Sequence, residues 1–126
     1  MLQGVDLVKA ARAIFEKRGG LKERYAEYKC ERLCLVGSFV LALNPDRQWW
    51  DLVPDNTDRS VLEPLFRDMG FAIPDRLDPI PEGYTEPEYT CVGGVCAYNN
   101  SHSKEEILAR LDSYITSKET DIGTVH

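Results

Sequence analysis

From Leu33 to Leu43 the chain reads Leu-Cys-Leu-Val-Gly-Ser-Phe-Val-Leu-Ala-Leu, and only Gly37 and Ser38 interrupt its apolar character. A helix that is apolar on nearly every side has to be buried on nearly every side. Eleven residues are too few to cross a bilayer, which takes roughly 20. They are too many for an ordinary strand of about 4 to 8 residues. The stretch Cys30 to Leu43, with Glu31 and Arg32 in its first turn, therefore reads as the central helix of a small soluble domain.

The rest of the chain supplies helices to surround it. Asp6 to Arg18 places Leu7, Ala11, Ile14 and Arg18 along one edge of a face that Val8, Ala10 and Phe15 widen. That spacing predicts an amphipathic helix, with Gly19-Gly20 as its stop. Leu21 to Lys29 is charged and reads as a short helical turn or a loop. Asn44-Pro45 ends the central helix, because proline cannot continue the hydrogen-bond ladder. Ser60 to Met69 predicts another helix, with Val61, Leu62, Leu65, Phe66 and Met69 at helical spacing, Gly70 at its end and Pro64 tolerable in its first turn.

Phe71 to Tyr89 carries Pro74, Pro79, Pro81 and Pro87 and shows no sustained period. The 71–89 segment reads as a functional loop or as a covering segment held by Phe71, Ile73, Leu77, Ile80 and Tyr84. In Thr90 to Asn100, Gly93-Gly94 weakens both a helix and a strand assignment. Ser103-Lys-Glu-Glu is a capping box, in which the Ser103 hydroxyl takes the Glu106 N–H and the Glu106 carboxylate reaches back. It opens a final helix with Ile107, Leu108, Leu111, Tyr114 and Ile115 on one face, ending near Lys118 and leaving 119–126 as a frayed tail. The expected fold is mainly α: a single-domain bundle of about four helices over residues 1–126, with a long irregular Pro-rich segment.

Composition narrows the function more than the motifs do. A formal charge of −6 and a pI near 4.9 argue against nucleic acid, which requires clustered Lys and Arg, and against an anionic membrane surface. No basic region precedes an apolar core at the N-terminus, so a reducing cytoplasm is the expected compartment. There is no Gly-Lys-Ser/Thr phosphate loop and no Gly-x-Gly-x-x-Gly.

Cys34-Leu-Val-Gly, Ala97-Tyr-Asn-Asn and Ser103-Lys-Glu-Glu-Ile-Leu together resemble an uncharacterised domain family of bacteriophages and their high-GC hosts. That family has an amphipathic helix, a Cys-containing Leu/Gly/Ala-rich helix, a Trp-Asn-Asp-like turn and a Thr/Ser-x-Glu-Glu closing helix. The resemblance covers about half the chain in separated pieces and does not extend over 45–89. Tyr98 and Asn100 stand where the family more often has Trp and Asp. It implies a helical fold and a phage origin, and it implies no activity.

Three function classes remain. The leading one is a non-enzymatic interaction or accessory protein, phage-encoded and binding a host protein. Its contact candidates are Trp49 and Trp50, the 71–89 segment and the turn Tyr98, Asn99, Asn100 and His102. Trp49 and Trp50 are adjacent, so they are not expected to be equally buried. The second class is a zinc or redox-sensitive module on Cys30, Cys34, Cys91 and Cys96; residues i and i+4 of a helix share a face, which would aim Cys30 and Cys34 at one ion. Against it, neither pair has the Cys-x-x-Cys spacing, and free Cys is usually a small buried hydrophobe. The third is a small enzyme using Cys96 and His102 as a nucleophile pair, with His102 more simply a loop residue. Asn99, Asn100, Ser101 and Ser103 also suggest a helix N-terminus open to an anion, or ordinary turn chemistry.

Overall fold

The structure, a computed structural model, describes residues 3–21, 32–52, 54–71 and 93–124. Among them are five α-helices: α1 (Gly4–Arg18), α2 (Leu35–Leu43), α3 (Asn56–Asp68), α4 (Gly93–Ser101) and α5 (Lys104–Thr124), with a 3-10 turn at Trp49–Asp51 between α2 and α3. The mainly α reading holds. Cys30, Cys91, most of the 71–89 segment and the 22–29 stretch lie outside the described residues, as do His126 and the Cys96 side chain.

α2 is the centre. It packs against α1, α3 and α4, while α1 also packs against α5. All nine of its residues are buried, Ser38 among them. Ser38 is satisfied within the helix, its hydroxyl donating to the Cys34 carbonyl at 2.9 Å. The core around α2 takes Leu7, Val8, Ala11 and Phe15 from α1, Leu62, Leu65 and Phe66 from α3, Val95 from α4 and Ile107 and Leu111 from α5. Phe39 meets Phe66 edge-on with centroids 5.0 Å apart, and Phe66 meets Phe71 likewise at 5.9 Å.

α2 starts later than its sequence predicts. The Leu33 N–H donates to the Arg18 carbonyl at 2.7 Å, and its own carbonyl accepts from the Leu21 N–H at 3.2 Å. Those bonds hold the chain extended through Cys34 (φ −81°, ψ 176°), so Arg32 and Leu33 are not helical. Cys34 is the N-cap, its sulfur accepting the Gly37 N–H at 3.2 Å. The placement of Cys30 and Cys34 on one helical face lies outside the described residues, because Cys30 does.

The approach to this clamp depends on Gly19 and Gly20. The Gly19 N–H closes α1 on the Phe15 carbonyl at 2.6 Å. A side chain at 19 would collide with that carbonyl and with the Phe15 ring. Gly20 follows at φ +106°, a conformation that L side chains rarely adopt.

α3 begins four residues before the predicted Ser60. Its start is a capping box with an aspartate in the usual glutamate place: Asp55 Oδ1 accepts the Asp58 N–H at 2.8 Å, and Asp58 Oδ2 accepts the Asp55 N–H at 3.0 Å. Pro64 is therefore in the helix interior and not in its first turn. It is exposed, as is Ser60 four residues earlier, so the carbonyl that loses its partner faces solvent.

α5 also differs from expectation. The capping box is present, with the Ser103 N–H on Glu106 Oε1 at 3.0 Å and the Glu106 N–H on Ser103 Oγ at 3.1 Å. The helix does not stop near Lys118, however, and runs to Thr124. Glu119, assigned to a frayed tail, forms an ion pair with Lys9 of α1. One turn lower, Arg12 of α1 is bidentate to Asp112, at 2.6 and 3.2 Å, and also holds Glu16 at 2.6 Å. None of the helices among the described residues is long and apolar enough to cross a membrane.

Candidate functional site

The chain leaves α2 at Asn44 and re-enters helix at Asn56, and this connection carries the most distinctive surface. Its anchor is Arg47. The guanidinium bonds the Asp55 carboxylate at 2.8 Å and the Asp58 carboxylate at 2.9 Å, approaches Asp51 at 3.8 Å and donates to the Asp51 carbonyl at 3.2 Å. Asp58 is 3% exposed and also accepts the Asn44 amide at 3.0 Å. A buried carboxylate held by a charge, an amide and a backbone N–H is fully compensated. The Asp55 carboxyl lies below the usual range, chiefly because it accepts the Asp58 N–H and secondarily because of Arg47.

The two tryptophans of this connection differ in burial. Trp49 is half-buried and packs on the core. Trp50 stands edge-on to it, ring centroids 5.7 Å apart at 82°, and is 67% exposed. It is the sole large apolar side chain so exposed among the described residues. The inequality expected of adjacent residues is present, and the exposed member is Trp50. Beside the pair runs a shallow open groove lined by Leu43, Asn44, Pro45, Asp46, Arg47, Gln48 and Asp51.

The turn at Tyr98–His102 is organised otherwise. Tyr98 is half-buried; its ring meets Phe71 at 5.4 Å and stacks with His102 at 3.9 Å. The Arg110 guanidinium of α5 lies 4.0 Å from the Phe71 centroid and 4.5 Å from the Tyr98 centroid, and bonds the Met69 carbonyl at 3.1 Å. His102 Nδ1 lies 2.9 Å from both the Tyr98 carbonyl and Ser101 Oγ. Asn99 is not a surface residue: it is 2% exposed. Its Oδ1 accepts the Leu35 N–H at 3.1 Å, and its Nδ2 donates to the Leu21 carbonyl at 3.0 Å. It ties the first turn of α2 to the clamp after α1. Asn100 is exposed, and its side-chain oxygen accepts from Asn99 at 3.2 Å. Nor is the α5 N-terminus an open anion site, since Glu106 supplies its own carboxylate there.

Of the four cysteines, Cys34 alone has a described side chain. It is 3% exposed, and burial pushes its thiol up to about 11. In this arrangement it is a small buried cap. The Cys96–His102 pairing lies outside the described residues, because of its cysteine side chain.

Two constellations escaped the sequence reading. Arg47, Asp55 and Asp58 are three residues of common type whose grouping depends on a capping box with aspartate in the glutamate place; Asp-x-x-Asp before an apolar period was the available signal. Asn99 had none, because its partners lie 64 and 78 residues away. The chain matches no family model, no curated protein and no solved structure.

Proposed function

We propose that this protein is a non-enzymatic interaction protein that engages a protein partner through the face around Trp50. The observation that carries the proposal is the 67% exposure of Trp50 on a frame as ordered as that of Arg47, Asp55 and Asp58. An indole held out from the core presents roughly 150 Å² of apolar surface. Burying it against a partner is worth about 4 kcal/mol before the costs of association. The Trp49 beneath it limits the entropy lost on docking, because the neighbouring ring and backbone are already fixed. The phage origin implied by the sequence resemblance makes a host protein the first partner to seek.

The test is quantitative affinity capture from a host lysate with the wild-type chain, Trp50→Ala and, as an exposed control in the first turn of α5, Glu105→Ala. Loss of a buried hot-spot tryptophan costs about 2 kcal/mol or more, about 30-fold in affinity. A partner retained by wild type and by Glu105→Ala, and lost with Trp50→Ala, supports the reading. Identical capture by all three overturns it.

A further inference from the structure

The face around Trp50 carries more negative charge than it neutralises. Of the described residues lining the groove, Asp46 and Asp51 are acidic and Arg47 is the single cation, and Arg47 is shared with Asp55 and Asp58, which do not line it. The Arg47 guanidinium is already engaged by Asp55 and Asp58, and it reaches Asp51 only at 3.8 Å. The Asp51 side chain is 68% exposed, and Asp46 is exposed and forms no ion pair among the described residues. In the chain, Trp50 falls directly between this groove's two lining residues Gln48 and Asp51, next to Trp49.

An exposed indole is the best side-chain platform for a cation, and an adjoining surplus of carboxylate supplies the countercharge. Together they repel an acidic partner and select a basic one. The protein uses similar chemistry internally, where the Arg110 guanidinium lies over Phe71 and Tyr98. We infer that the partner element seated at Trp50 is a basic segment, whose Arg or Lys cation lies over the indole and is neutralised by Asp46 and Asp51. This rests on Trp50 being the contact point and adds the partner's chemistry.

The probe is a short synthetic peptide, Gly-Arg-Gly-Arg-Gly, with Gly-Glu-Gly-Glu-Gly as its counterpart. Trp50 is one of only two tryptophans, so Trp49→Phe makes it the sole indole and lets its fluorescence report occupancy. Calorimetry on the unsubstituted protein gives the same ranking should that variant be poorly folded. The expected result is saturable binding of the Arg peptide and none of the Glu peptide. Affinity should fall about fivefold or more between low and about 0.5 M salt, where exposed charges are screened. It should fall likewise in Asp46→Asn/Asp51→Asn and in Trp50→Ala. Equal response to both peptides, no saturable response to the Arg peptide, or undiminished binding by Trp50→Ala overturns the inference. If the Arg peptide fails while lysate capture still depends on Trp50, the contact point stands and only the basic partner falls. If both fail, both readings fall.

Discussion

Replacing Asn99 by Ala should be among the most damaging single changes in this chain. The amide is 2% exposed, which keeps solvent from replacing its two bonds to the backbone. Its removal orphans the Leu35 N–H and the Leu21 carbonyl, bonded at 3.1 and 3.0 Å. A buried backbone group left unsatisfied costs about 1–3 kcal/mol. Two such groups and the small void left by the amide bring the loss to about 3–5 kcal/mol. With an unfolding entropy of roughly 2.1 cal/mol/K per residue, that lowers the melting temperature by about 10–20 °C. The assay is helical circular dichroism followed through thermal and urea unfolding. Asn99→Asp gives a graded version should the alanine variant not fold. One carboxyl oxygen can still accept the Leu35 N–H, but the other meets the Leu21 carbonyl and suits it only as O–H. Burial and that carbonyl raise the carboxyl's folded pKa above its unfolded value. The folded state therefore holds the proton while the unfolded state releases it. The stability gap between Asn99→Asp and wild type should be small near pH 4 and widen as pH rises to 7. A loss below about 1 kcal/mol for Asn99→Ala, or a gap independent of pH, would refute the reasoning.

Three further outcomes are expected. Ser103→Ala should cost about 1 kcal/mol by opening the α5 capping box, and Ser103→Asp should restore most of it, both read from urea unfolding. A double-mutant cycle on Arg12 and Asp112 should return a small favourable coupling that salt weakens, since the pair is bidentate but solvent-accessible; a value of zero removes it as a tie between α1 and α5. Cys34 should resist alkylation in the native protein at pH 8 and react on unfolding, as mapped by mass spectrometry. Its thiol is raised from an ordinary value near 9 to about 11. That contribution to stability is fully present below pH 9 and lost as pH rises towards 11, so alkaline unfolding should begin in that window and shift in Cys34→Ser.

The parts of the fold that were legible in the sequence are those written in local periodicity. The 33–43 run announced a buried helix because its apolar character has no polar face, and Ser103-Lys-Glu-Glu announced its helix because a capping box is complete within four residues. What failed did so because a distant bond decided it. α2 starts at Leu35, two residues into the run, because Arg18 and Leu21 take both polar groups of Leu33. α5 outruns its apolar period, with Lys9 paired to Glu119 in the continued stretch. At the candidate site, adjacency alone said that Trp49 and Trp50 would differ, while nothing local to the pair said that Trp50 would be the one facing solvent. Asn99 read as a contact residue of an exposed turn, because nothing in Ala97-Tyr-Asn-Asn reveals that Leu21 and Leu35 converge on it.

That convergence has a consequence for how the chain is made. Synthesis runs from the N-terminus, so α2 exists 64 residues before the side chain that accepts its Leu35 N–H. At about 5–20 residues per second, this interval is roughly 3–13 seconds. Throughout it the most apolar stretch of the chain has an open end and lacks the α4 and α5 surfaces that complete its cover. A nascent chain stalled within that interval presents a helix with no polar face to whatever binds exposed apolar segments, and a chain truncated before Asn99 should be recovered with chaperones or in the pellet.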